Sequence, residues 1–287
     1  MGRSHSEAGR SESRAGRECP ICEGPAADVL HTQRFVLPED HPLGDGYDVV
    51  CCCGCGFVYA DTSATQEDYD AFYARHSKYE DNVTSTGGGG TSWDAERMVQ
   101  MGQDLARLIP DKAARIVDVG CANGGMLASL KGLGYGQLCG IDPSPACANY
   151  VRMHHGIEAY AGSLTQLPAE AGPADAVLLS HVLEHVRDLQ PALAAVRAIM
   201  KPGAVLYVEV PDASRYHEFL FAPFQDFNTE HINHFSTQSL ANLLAASGFR
   251  LTASGRRIVA SSPTMPYPAI YVVGVFQDDP QAPPRGS

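Results

Sequence analysis

Two histidines stand four residues apart in HVLEH, His181 and His185, with Glu184 beside the second. On a helix this spacing gathers two imidazoles and a carboxylate on one face, the arrangement of a hydrolytic zinc site. A second histidine-bearing stretch, EHINHFS, carries Glu230, His231 and His234. Near the N-terminus, Cys19-x-x-Cys22 and Cys52-x-x-Cys55 are separated by 29 residues. Each pair can present two thiolates from one turn, and together they complete a tetrahedral four-sulfur zinc site, closed and therefore structural. Cys51 or Cys53 could take the place of Cys52. The nine cysteines of the chain are an odd number and most lie between 19 and 55, which favours a metal site in a reducing compartment over a disulfide framework.

Composition narrows the partners. The 287 residues, 44% of them hydrophobic, suffice for one large core and a small satellite domain. A formal charge of −12 opposes a polyanionic partner, because neutralising phosphates takes clustered Lys and Arg. Nucleic acid and membranes are therefore unfavoured partners, and a small-molecule substrate is the expectation. No apolar run is long enough to span a bilayer, and residues 1–17 lack the apolar stretch of a secretory signal, so a disordered leader and a cytoplasmic setting are expected.

The positioning elements follow from periodicity. Residues 18–60 read as a zinc ribbon. Residues 61–91 hold an aromatic segment with Tyr69, Phe72, Tyr73 and Tyr79, then four consecutive glycines that read as a linker; its aromatics read as packing, or as a lid. From 92 to 277, strand-like runs such as RIVDVG, QLCGID, ADAVLLS and AVLYVEV alternate with helical patterns, which predicts an α/β fold with a doubly wound parallel sheet. Two antiparallel strands, FRLTAS and AIYVVGVF, close the domain, and 278–287 is a tail.

The first strand ends in VDVG and runs through CANGG into a helix, a turn in which Gly120 and Gly124 let backbone N–H groups approach a ligand. Asp142 ends the next strand, 22 residues past Gly120, where a carboxylate can accept both hydroxyls of a ribose. Asp118 points a further carboxylate into the same cleft, which repels a pyrophosphate and attracts an ammonium. The ligand is thus expected to join a nucleoside to an amino acid.

IVDVGCANG, GIDPS, AGSLTQLP and DAVLLSHVLEHV, in that order, resemble the class I S-adenosylmethionine-dependent methyltransferases over residues 92–277. The resemblance implies a Rossmann-like sheet. It places the methionine end at Asp118 and the turn Gly120, Asn123 and Gly124, the ribose at Asp142 and Pro143, the adenine edge at Ser163 and Leu164, and Ser180 at the end of the fourth strand. Ala122 stands where the family usually has glycine, and Ser163 where aspartate is common. HVLEH then falls where this fold turns over the reactive methyl group, and a peptidase reading loses its context.

The segment 212–236 reads as an insertion that caps the cleft and selects the substrate. Its EHINHFS, with the four cysteines, resembles methyltransferases carrying an N-terminal zinc domain, notably the deoxysugar C-methyltransferases. That resemblance implies His231 and His185 as proton acceptors and Glu230 as the group orienting a sugar hydroxyl, with His181 beside them. Three departures are visible: Asn228 in place of a common tyrosine, His181 in place of a common asparagine, and an end at residue 287 where that subgroup continues into a C-terminal domain. Carbon and oxygen methylation both remain open. Alternatives are helix capping or structural hydrogen bonding by His231 and His234, a metal site pooling His181, His185, His231 and His234, an RNA methyltransferase using the ribbon for recognition, and a non-catalytic module binding the same cofactor.

Overall fold

The computed structural model describes residues 16–39, 41–76, 90–219, 225–262 and 265–277. Most of the expected leader, Tyr79, most of the glycine linker and the tail fall outside these residues. The expected α/β class and doubly wound sheet are present. Seven strands lie in the order β10-β11-β8-β7-β4-β5-β6. β4 (Arg115–Val119), β5 (Gln137–Asp142), β6 (Glu158–Ala161), β7 (Ala174–Ser180) and β8 (Met200–Pro211) pair in parallel, and β10 (Phe249–Ser262) and β11 (Met265–Phe276) antiparallel. Residues 116–119 of β4 are buried throughout, as expected of a strand covered on both faces.

β4 lies between β5 and β7 and pairs with both in parallel, so the chain reverses its direction of winding there. A crevice opens at the carboxyl ends of strands at such a reversal. It falls at Asp118–Gly120. Helix α2 (Ser92–Leu108) packs Met98, Met101 and Leu105 inward and is capped by the Thr91 side chain, which accepts from the Asp94 N–H. Helix α3 (Gly125–Gly132) follows the glycine turn directly. The helix after β5 divides: α4 (Pro145–Tyr150), with Ser144 as N-cap and Pro145 in its first turn, passes into one π-helical turn over Val151–His155. Helix α5 (Leu189–Ala198) links β7 to β8.

The closing hairpin is longer than its sequence suggested. Gly255, Pro266 and Pro268 read as strand breakers, yet the arms stay paired from Phe249↔Phe276 to Ser262↔Met265. Gly255 lies on β10, the open edge of the sheet, and Pro266 and Pro268 precede Ala269, where the pairing of β11 with β8 begins, so the interruptions fall where they are tolerated. The extension carries Arg257 and Tyr267 to the cleft.

The cysteine-bearing segment forms a second sheet, β1 (Ala27–Arg34), β2 (Gly46–Cys52) and β3 (Val58–Asp61), whose fourth strand comes from the far side of the chain. β9 (Asn233–His234) pairs Asn233 with Tyr59 and His234 with Val58. The capping stretch is therefore part of the ribbon's sheet as well as of the cleft. Arg17, read as the last residue of a disordered leader, is buried instead. Its guanidinium donates to the Ala60, Arg187 and Asn233 oxygens, its backbone N–H donates to Asp61, and it lies over the Tyr59 ring. Burial so disfavours a free cation that its surroundings must supply acceptors on every side. Beyond the short helix α6 (Tyr216–Phe219), helix α7 (Thr237–Ala246) takes Ser236 as its N-cap, in a capping box with Ser239.

The Asn233 amide donates to Leu183 O at 2.8 Å and Val186 O at 2.6 Å, two carbonyls beyond the end of β7. Asn233→Leu keeps the volume and removes both bonds. At about 1–3 kcal/mol per orphaned buried group, a clear drop in the urea unfolding midpoint is expected, and an unchanged midpoint would contradict this account.

Candidate active site

The glycine turn adopts the backbone its sequence requires. Gly120 and Gly124 have φ of 77° and 79°, and a Cβ on them would come within 2.6 Å of Val182 and 2.8 Å of Val151. Ala122 shares the left-handed region at φ 46°. That conformation favours glycine, and the Ala122 N–H donates to Asp142 Oδ2 at 2.9 Å. Asp142 Oδ1 accepts from the Ser144 N–H, also at 2.9 Å. The carboxylate is thus held by two backbone donors at the rim of the crevice. Asn123 is buried, and its carbonyl contacts His155 Nε2 at 3.0 Å. Pro143 is half-buried and opens the loop to α4, Ser163 contacts Thr165 at 3.1 Å, Leu164 packs in the core, and Ser180 ends β7.

Asp118 is buried and accepts no hydrogen bond among the described residues. Burial, reinforced by Asp142, pushes its carboxyl up to about 7. An ammonium at this strand end would answer the carboxylate, so the residues present fit the methionine end of the cofactor.

Past β7 the chain enters a tightly charged corner. His181 sits at φ 56°, a strained backbone for a non-glycine residue, and its N–H donates to Glu209 O. Its Nδ1 lies 3.2 Å from Glu184 Oε1 and its Nε2 3.5 Å from Glu209 Oε1. Burial alone would lower its pKa, but the two glutamates outweigh it and hold the imidazole up at about 9. An imidazolium at neutral pH has no lone pair for a proton. The geometry seats the His181 ring between the two carboxylates, where it orients Glu184.

Three separate segments converge beside it. His185 Nδ1 contacts the Tyr73 hydroxyl at 2.8 Å and Glu230 O at 3.1 Å. The Tyr73 hydroxyl also reaches Glu230 Oε2 at 3.4 Å. The His185 and His231 rings meet edge to face at 4.8 Å. His231 Nδ1 lies 3.7 Å from Asp226, whose carboxyl is held down to about 2 because His231 and the Tyr267 hydroxyl outweigh its burial. His234 turns away from this group, buried between Phe227 and Tyr216, and burial followed by the nearness of His231 lowers it to about 3.

Sequence reasoning missed Tyr73, which it grouped with the packing aromatics. Helix α1 (Gln66–His76) carries it across the mouth of the cleft. Gln66 accepts from the Asp188 N–H, Asp70 accepts from Thr165, and Tyr73 meets His185. These three contacts sit at helical spacing of three and four residues, the one signal in the sequence that could have revealed the face.

The four sulfurs of Cys19, Cys22, Cys52 and Cys55 lie within 4.8 Å of one another, Cys51 and Cys53 outside that group. The donor set and closeness suit a tetrahedral zinc.

A family model described as a methyltransferase domain matches residues 93–254. The chain belongs to this family, and its fold is that of the class I S-adenosylmethionine-dependent methyltransferases. It is 36% identical over 109 residues to a ubiquinone biosynthesis O-methyltransferase of Xanthomonas axonopodis pv. citri, covering 36% of this chain and 45% of that protein. It is 35% identical over 115 residues to a tRNA U34 carboxymethyltransferase of Saccharophagus degradans, covering 37% and 34%. The matches thus span less than half of either relative. The 1,6-didemethyltoxoflavin-N1-methyltransferase of Burkholderia thailandensis, solved with 1,6-didemethyltoxoflavin and S-adenosylhomocysteine, superposes with a TM-score of 0.54 at 18% identity, over 77% of this chain and 95% of that one. That superposition concerns the fold.

Two outcomes follow. An ammonium-bearing ligand requires ionised Asp118, so affinity for S-adenosylhomocysteine should fall as pH drops below about 7, and calorimetry should show that dependence flattened in Asp118→Asn. Ala122→Gly should raise the thermal midpoint slightly. It removes about 1–2 kcal/mol of left-handed strain and adds back about 0.4–1 kcal/mol of unfolded-state freedom.

Proposed function

We propose that the chain transfers the methyl group of S-adenosylmethionine to a carbon or oxygen of a small organic acceptor, seated between the glycine turn and the segment 225–236. The observation that carries this is the convergence of Tyr73, His185, Glu230 and His231 from three distant segments on the rim of the cofactor crevice. When bound, the cofactor supplies an electrophilic methyl on a sulfonium. The residues holding it are Asp118, the turn 120–124 and Asp142, with Ser163 and Leu164 beside the adenine.

What remains for the protein is to orient the acceptor and remove a proton. An imidazole at His185 or His231 is placed to accept a proton from either a hydroxyl or a carbon next to a ketone. Tyr73 and Glu230 fix the His185 ring, and Asp226 fixes His231. The relatives named as O-methyltransferases support the oxygen branch, and the four cysteines serve in this reading as a structural zinc site bracing the ribbon. An RNA acceptor draws support from the tRNA-modifying relative. The charge of −12 opposes it, and Arg17, one of the few cations near the ribbon, is consumed in internal bonds.

His231→Ala should lower turnover by at least about tenfold and leave the S-adenosylhomocysteine dissociation constant within about twofold. Equal loss of both would show that His231 supports the cofactor cleft instead.

A further inference from the structure

Resting on the reading that seats the adenine beside Ser163 and Leu164, we infer that Asp70 is a further cofactor-binding residue. From helix α1 it supplies the carboxylate that accepts the exocyclic amine of the base, and so selects a 6-amino purine. Helix α1 ends at His76, before residue 93, where the family match begins.

Adenine carries an amine that donates two hydrogens, and a site that distinguishes it from other purines must offer that amine an acceptor. The loop after β6 reads GSLTQLP over residues 162–168 and holds no carboxylate. Its two hydroxyls, of Ser163 and Thr165, lie 3.1 Å apart and are turned on each other. Asp70 closes this gap from a distant part of the chain. Its Oδ2 accepts from the Thr165 hydroxyl at 3.3 Å, so Ser163, Thr165 and Asp70 form one line of hydrogen bonds running from the adenine edge to the helix.

The carboxylate is oriented for the part. Oδ1 accepts from Gln66 Nε2 at 2.8 Å, one turn earlier on α1, and Gln66 Oε1 is itself held by the Asp188 N–H at 3.0 Å. A carboxylate has about four acceptor positions, and these two bonds occupy two of them. Thr165 and Gln66 are its polar partners among the described residues, and neither is a cation that would neutralise it. The side chain is half-buried, which shields a hydrogen bond made there from full competition by water. Three residues on, Tyr73 meets His185, so a base held at Asp70 also steadies the helix that carries Tyr73 to the proposed acceptor wall.

A merely structural tie between α1 and the loop would need only the Thr165 bond, which an amide oxygen accepts as well as a carboxylate does. Asp70→Asn keeps that oxygen and replaces the other by an NH2 that donates. The test is calorimetry on the full chain with S-adenosylhomocysteine and with S-inosylhomocysteine, in which a ring carbonyl replaces the amine. Relative to the unaltered chain, Asp70→Asn should bind S-adenosylhomocysteine at least about fivefold more weakly and S-inosylhomocysteine at least about fivefold more tightly, the scale of one net hydrogen bond. The tightening decides the matter, because loosening of α1 cannot produce it. Failure of S-inosylhomocysteine to tighten overturns the role of Asp70 and leaves the crevice at Asp118 and Asp142 standing. Failure of the unaltered chain to bind S-adenosylhomocysteine overturns both that role and the cofactor reading beneath it.

Discussion

Two carbonyls decide where the proposed acceptor wall stands. Leu183 and Val186 lie past the end of β7, beyond the reach of its sheet partners, and the single Asn233 amide satisfies both. Asn233 is held in turn by its backbone pairing with Tyr59 and by Arg17 at its oxygen. The turn bearing Glu184 and His185 is thereby fastened to the cysteine-bearing sheet, and the Ile232 N–H donating to Glu184 O adds a further tie. Without this junction, the nucleotide crevice would still form from its own parallel strands. The pocket beside it would not.

The crevice and the pocket are built by opposite means. In the crevice, the positive φ of Gly120 and Gly124 and the backbone donors to Asp142 create a shape from main chain, with one carboxylate, Asp118, accepting no hydrogen bond among the described residues. In the pocket, side chains from α1, from the turn after β7 and from the stretch before α7 meet through hydrogen bonds among themselves. His181 stands at their border. Its strained backbone turns the chain, and its charge is trapped between Glu184 and Glu209, which themselves would be costly to bury unpaired.

This difference explains what the sequence disclosed. Parallel strands buried on both faces write continuous apolar runs, and a glycine turn followed by an acid at fixed distance is a local pattern, so the sheet, Asp118 and Asp142 were legible. The cysteine pairs were legible because two-residue spacing is itself the geometry of a knuckle. Tyr73 was not, because nothing within its own helix distinguishes a tyrosine that packs from one that meets a histidine a hundred residues on. Nor was β9, two residues long, whose pairing with β3 leaves no periodic trace. The setting of His181 was hidden for a related reason: Glu209, one of the two acids beside its ring, lies on a neighbouring strand.

The late arrival of β9 has a consequence for synthesis. As the chain leaves the ribosome, β1, β2 and β3 can pair locally, but the free edge of β3 must wait for Asn233 and His234, which emerge after the five parallel strands of the central sheet. Through that interval the small sheet offers unpaired N–H and C=O groups to any passing strand. A metal held by the four cysteines would keep those three strands in shape during the wait, so its most consequential service could fall before the protein is complete.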